Sequence, residues 1–384
     1  RESAYGRSGA WLSGALVTVA VALATATWMD RPVPPAPVRP AFTASSSEEP
    51  HRLWLPWAGR NGHPAVLQPV GHFSNDLGPI QTLAVDESTG VVYAGQGSRI
   101  VVIDVSQRGI PRELRRLEPL GAVIEDLRLR GDRLYAAVGS AGLVIIDRSK
   151  PAEPIIAGTF ADSIHRIVAG DKGVIATAGA EDDLAGTASR ILSINVAEPG
   201  RPMLLDTLTA RRICPFTDVD VSGDWAYVSA DVCGLFAVDI GRPELMRIDY
   251  SGYASGRDGG RLRVNDDVVF QVVEGATVEM RDARRLEAEG LSRVDRFVFA
   301  DGETWYTDVT RDLAVQAGRL LMVGRFDRQP VPDGEGLWVV DVSDPHRPVL
   351  LAAAESAAPA AVAGTQSHIY VAGADGLLIY PAVP

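Results

Sequence analysis

From about residue 63 onward the chain alternates short apolar, β-branched runs with small polar turns, and the runs recur in the same order. The clearest copy is Gly336 to Pro348, GLWVVDVSDPHRP, which leads into PVLL. A Gly opens it, an apolar run suited to a buried strand follows, and an Asp closes the run. Asp341 and Ser343 can bond backbone two residues on, and Pro345 fixes φ in the turn, so the stretch reads as strand, tight turn, strand. The same unit appears as Arg99-IVVIDVSQRGIP, Gly142-LVIIDRSKPAEP, Arg190-ILSINVAEPGRP, Gly234-LFAVDIGRPE, Gly275-ATVEMRDARR and Gly376-LLIYP, which makes seven copies.

A second unit precedes each copy and is plainest as Asp218-VDVSGDWAYVSAD, an alternating run, a Ser-Gly-Asp turn and an aromatic-centred run. That pattern predicts a β-hairpin. Its counterparts begin at Asp126, Arg166, Arg261, Asp312 and Ala361, with strand centres nine positions later at Tyr135, Ile175, Phe270, Leu321 and Tyr370. The first, from Thr82 to Tyr93, has a longer turn. A period of about 40 to 60 residues with four strands per repeat is that of a propeller blade. The expected fold is therefore all-β, a seven-bladed β-propeller over residues 63–384, each blade running hairpin a–b, strand c, Asp corner, strand d. The last copy stops after strand c, while Pro64-AVLQPVGHF resembles the d strands Pro202-MLLDTL and Pro348-VLLAAA. The N-terminal segment should then supply the missing outer strand and close the ring. Two separate β domains would leave that segment without a partner.

The unit GLWVVDVSDPHRP, paired with DVDVSGDWAYVSAD, resembles the LVIVD-repeat proteins of bacterial and archaeal cell surfaces. The resemblance covers about residues 64 to 384 and is strongest in the second, fourth and sixth blades. Blade five departs from it at Met280-Arg281-Asp282, which lacks a turn Pro, and blade three carries Asn195 in place of the Asp. The resemblance implies a propeller outside the cytoplasm and little about chemistry.

Ahead of the repeats the pattern changes twice. Trp11 to Trp28 holds no charged residue; as a helix it would span about 27 Å, close to the roughly 30 Å of a bilayer core. With Arg1 and Arg7 before it, the stretch 1–30 is expected to be a signal anchor crossing at 11–28, the competing reading being a cleaved signal peptide. Either sends the rest of the chain out of the cytoplasm. Residues 31–62 open with five prolines and continue into Ser45-Ser46-Ser47-Glu48-Glu49, which reads as a semi-rigid linker. Its end, Leu53-Trp54-Leu55-Pro56-Trp57, is aromatic enough to pack on the folded domain or on a partner.

A net charge of -12 argues against a nucleic-acid backbone as partner. Two cysteines and six scattered histidines make neither a zinc ribbon nor a haem attachment site. Asp218-x-Asp220-x-Ser222-Gly223 begins like a calcium loop, but its twelfth position is Ser229 and its apolar alternation is that of a strand. No nucleophile elbow or phosphate-cradling loop occurs. No cofactor and no metal are expected.

Cys214 and Cys233 lie equidistant from the turn between Gly223 and Asp224, so they should face each other across the hairpin and form a disulfide, the alternative being two free thiols. The hairpin leads place Asp126, Arg166, Asp218, Arg261 and Asp312 at successive points around one mouth of the central channel, with Arg128, Asp220 and Arg263 two positions further on. They could bind an anion, a metal or a small polar ligand. Alternation of sign instead favours ion pairs between neighbouring blades that fill and stiffen the channel. The long insertions are b–c and d–a connections, which strand order puts on one face, and they carry Tyr250, Tyr253, Phe299, Trp305, Tyr306 and Phe326. Aromatic residues among Arg and Asp on long loops suit a recognition face.

The sequence thus reads as a membrane-tethered, extracytoplasmic propeller that binds other membrane or surface proteins through its long-loop face, as a scaffold or accessory subunit. The alternative is a propeller hydrolase or lyase with its site at the channel mouth; fold alone does not choose between them.

Overall fold

The computed structural model describes residues 64–179, 189–209, 214–231, 233–252, 259–273, 277–283, 292–298, 309–325 and 334–383, together with the backbone of 53–54. Among them every regular element is a strand, and the strands form seven sheets. Blade one comprises Thr82–Asp86, Val91–Gln96, Arg99–Asp104 and Arg112–Arg116, each antiparallel to the next. Blades two to six repeat this a–b–c–d order, their inner strands being Asp126–Arg130, Ile164–Gly170, Phe216–Ser222, Gly259–Asn265 and Val309–Gln316. Blade seven takes strands a to c from Pro359–Gly364, His368–Gly373 and Gly376–Pro381. Each inner strand lies against that of the next blade, and that of blade seven lies against that of blade one. The fold is a seven-bladed β-propeller.

Alternation explains why the blades stack. Strands b and c are apolar on both faces because both are covered by neighbouring blades, and they are buried almost throughout. Seven apolar clusters result, most of them straddling two blades. Outer strands carry polar residues, as in the RELRR of Arg112–Arg116.

The Asp corner behaves as its chemistry requires. The Oδ1 atoms of Asp104, Asp147, Asn195, Asp239 and Asp341 each accept from the backbone N–H two residues on, at 2.8–3.0 Å. Asn195 therefore does the work of the Asp it replaces. In blade five Ala283, just past Asp282, donates to the Asp267 carbonyl at 2.8 Å, as Ile240 does to Asp224 in blade four. The opening Gly is required because strand d runs too close for a side chain. A Cβ on Gly142 or Gly336 would lie 2.1 or 1.9 Å from the carbonyl oxygen of Phe160 or Ala354.

The segment 64–73 divides between two blades, although the sequence reads as a single outer strand. Ala65–Val66 runs parallel to Val349–Glu355 as a fifth strand of blade six. Gly71–Phe73 pairs antiparallel with Gly376–Pro381, in the place of a strand d of blade seven. Two close approaches mark that place as equivalent to the other d strands. A Cβ on Gly376 would meet the Phe73 carbonyl at 2.2 Å, as Gly142 would meet that of Phe160. A Cβ on Gly71 would meet the carbonyl of Arg108, in the next blade's corner, at 1.8 Å, as Gly158 would meet that of Pro199. The backbone of Leu53–Trp54 runs parallel to Ser292–Val298 on the rim of blade five. No helix among the described residues is long and apolar enough to cross a membrane, and residues 11–28 lie outside them.

Candidate functional site: the central channel

Strand a has a partner on one side only, so its other edge presents unpaired backbone groups to the channel. In blades three to seven the a–b register slips immediately before or at the hairpin lead, between Phe216 and Asp218 in blade four and between Thr310 and Asp312 in blade six. Such a bulge re-aims the following side chain. The leads of the even-numbered blades are the aspartates, and each reaches across to the next blade. Asp126 Oδ2 accepts from Ile167 N–H at 3.1 Å, Asp218 Oδ2 from Leu262 N–H at 3.0 Å, and Asp312 Oδ2 from Val362 N–H at 3.0 Å. Asp220 does the same to Val264 at 2.8 Å. These carboxylates staple adjacent inner strands where no sheet ladder can form.

Ion pairing follows a different pattern from the one the order of leads suggests. Arg166 and Arg261 do not pair with the lead aspartates: Arg166 Nη1 donates to the Glu125 carbonyl at 2.6 Å and Arg261 Nε to the Arg311 carbonyl at 2.7 Å. The bridging cation is Arg263, one tier in, with Asp218 at 2.8 Å and Asp312 at 2.9 Å. Arg128 lies 3.3 Å from Asp126 within its own strand. The reason is that the lead carboxylates are already turned toward backbone N–H groups, which only the second tier can approach.

The electrostatics match this placement. Burial alone would push the fully buried Asp218 carboxyl up, but Arg263, Arg261, Arg166 and Arg128 together hold it at about 2. Burial also dominates at Asp220, where Arg263 and Arg128 offset it only partly and the carboxyl stays raised. Arg261 is lowered to about 10, first by burial and then by Arg166, against the pull of Asp218 and Asp312.

Asp126, Arg166, Arg261 and Asp312 line one cavity of about 240 Å³ in the channel, with Arg128 and Arg263; Asp218 lies behind its wall. No cluster of three or more metal-ligating side chains occurs among the described residues. Tyr253, Phe299, Trp305, Tyr306 and Phe326 lie outside the described residues, and Tyr250 is described only as backbone of strand d in blade four.

One constellation at this mouth escaped sequence reasoning. Glu125 Oε2 lies 2.9 Å from His165 Nδ1, and Ser163 Oγ lies 3.4 Å from His165 Nε2. Its members come from neighbouring blades, and only the Ser-x-His spacing was visible in sequence. A serine, a histidine and a carboxylate invite a hydrolase reading. However, His165 Nε2 faces the Gly179 carbonyl more closely than the serine. A nitrogen that donates there offers Ser163 no lone pair, so the ring clamps two blades rather than activating a nucleophile.

The disulfide joins Cys214 and Cys233 with Cα atoms 5.5 Å apart. The bulge between Phe216 and Asp218 shifts the register by one beyond the strand. The two cysteines still come within bridging distance because both lie at the open end of the hairpin.

The LVIVD repeat model matches residues 124–162, 216–246 and 331–353, falling on blades two, four and six, which carry the stapling aspartates. A search of curated proteins returned no match. Similar solved structures include the β-propeller domain of Cps50 (Swd1) from Myceliophteria thermophila, with a TM-score of 0.62 and 12% identity, covering 83% of this chain and 100% of that one. The computationally designed Ika8 protein gives 0.56 at 12% identity over 82% and 100%, and Sqt1 of Saccharomyces cerevisiae 0.56 at 10% over 83% and 100%. At such identities the likeness concerns fold alone. By its architecture this chain is a seven-bladed β-propeller, and it carries LVIVD repeats in its second, fourth and sixth blades.

Proposed function

We propose that this protein is a membrane-tethered, extracytoplasmic interaction module, a rigid propeller whose long-loop face binds another membrane or surface protein. The observation that carries the reading is where the repeat spends its polar residues. Corner aspartates are taken up by their own turns and lead aspartates by the next blade's backbone, so the repeat's recurrent polar chemistry goes into rigidity. Departures from the repeat fall mainly in the b–c and d–a connections, whose flanking strand ends share one face. A stiff scaffold with variable loops on one rim is the usual division of labour in binding proteins.

The tether is residues 11–28, and residues 31–62 set the distance from the bilayer. The Cys214–Cys233 disulfide supports an oxidising compartment. Gly71–Phe73 acts as the clasp of the ring, joining the N-terminal segment to the last strand c. The test is purification of the membrane fraction in mild detergent, with identification by mass spectrometry of what co-elutes. A stoichiometric membrane or surface protein, lost on Tyr253→Ala with Trp305→Ala, is expected. Recovery in the soluble fraction, or a partner retained by that double variant, would refute the reading.

A further inference from the structure

The channel cavity has an unequal charge lining. Four guanidiniums (Arg128, Arg166, Arg261 and Arg263) face it, against three carboxylates (Glu125, Asp126 and Asp312). The carboxylates are engaged: Asp126 and Asp312 by backbone N–H groups and arginines, Glu125 by His165. Arg263 is satisfied on both terminal nitrogens by Asp218 and Asp312. Arg166 and Arg261 are different. Among the described residues, the buried Nε of Arg166 has no hydrogen-bond partner, and the Arg261 guanidinium is bonded only through Nε, to the Arg311 carbonyl. Asp218 stands between them in blade four, but both its oxygens are taken by Val219, Leu262 and Arg263. Two cations with spare donors therefore share a partly desolvated space, which is costly unless an anion joins them.

The opposite arc of the cavity has another character. Blades six, seven and one present Ala314, Ala363 and Ala84, small and uncharged, where blades two, four and five carry Arg128, Asp220 and Arg263, and Ala361 and Gly364 lie beside them. These residues leave room for a short carbon body, and about 240 Å³ suits a ligand of only a few heavy atoms beside its waters.

We infer that the channel holds a small organic carboxylate, its oxygens in the forks of Arg166 and Arg261 and its carbon body along the alanine arc. Guanidinium forks match a planar carboxylate in geometry as well as charge. Burial first, and then repulsion from Arg166, lower Arg261, and an anion held between the two guanidiniums would offset both. The site is independent of the loop face, so its failure would leave the scaffold reading standing.

The test is calorimetric titration of the full-length protein in detergent, at fixed ionic strength, with butyrate, butyramide and inorganic phosphate. Butyrate is expected to bind one site, at least tenfold tighter than phosphate, with butyramide silent. Arg261→Gln and Arg166→Gln should each weaken butyrate about tenfold or more, the size of one lost charge-assisted hydrogen bond. Should either fail to fold, Ala363→Leu keeps both guanidiniums, fills the alanine arc, and should weaken butyrate comparably. Absence of butyrate binding, phosphate binding as tightly, or affinity unchanged in folded variants would overturn the assignment.

Discussion

Asp218→Asn is the sharpest perturbation of the stapled channel. The side chain is fully buried, and its carboxylate accepts from Val219 N–H at 2.9 Å, Leu262 N–H at 3.0 Å and Arg263 at 2.8 Å. Asparagine offers one acceptor oxygen and points an NH₂ at groups that are all donors. A carboxyl held at about 2 against an ordinary 3.8 corresponds to about 2–3 kcal/mol of native-state preference. Breaking a buried ion pair from one side costs about 3–5 kcal/mol, and the surviving Arg263–Asp312 contact at 2.9 Å argues for the lower end. A loss of about 3 kcal/mol is therefore expected, read as the drop in urea midpoint at unchanged slope with the disulfide intact. The pH dependence gives a second reading. A folded-state pKa below the unfolded one stabilises above about pH 5, and the contribution fades as pH falls through 3.8 toward 2. The gap between wild type and variant should shrink over that window. A loss under about 0.5 kcal/mol, or one equally large at pH 2 and pH 7, would refute the staple.

Three further outcomes follow from the same structure. Thiol labelling of the unreduced protein should find no free cysteine, and Cys214→Ser with Cys233→Ser should cost about 3 kcal/mol in unfolding, for a loop this short. Gly71→Ala puts a methyl group 1.8 Å from the Arg108 carbonyl and should open the clasp, seen as faster amide exchange in Gly376–Pro381 than in the c strands of other blades. Arg148→Met removes a latch to Asp86, to Tyr93 Oη at 3.1 Å and to the Gly131 carbonyl at 2.6 Å; a loss of about 3 kcal/mol is expected by chemical denaturation, as for one side of a buried pair.

What was legible in the sequence was whatever depends on local order along the chain. The period of the Asp corner counted the blades, the alternation named the buried strands, and the symmetry of Cys214 and Cys233 about one turn predicted their bridge. Each of these is written within one hairpin or one corner, where neighbours in sequence are neighbours in space. The channel was legible as an inventory and not as a set of contacts. Asp, Arg, Asp, Arg, Asp in order suggested ion pairs between leads. Whether Asp218 would meet Arg261 or the N–H of Leu262 depended on a bulge and on the spacing between blades, which no local pattern encodes. The same holds for 64–73, whose apolar character marked it as an outer strand but not as one shared between blades six and seven. Only the closed arrangement of inner strands decided which carboxylates are consumed in holding the blades and which two arginines keep donors to spare. The physical reason is that an edge strand's unpaired backbone becomes a partner only once another blade stands beside it.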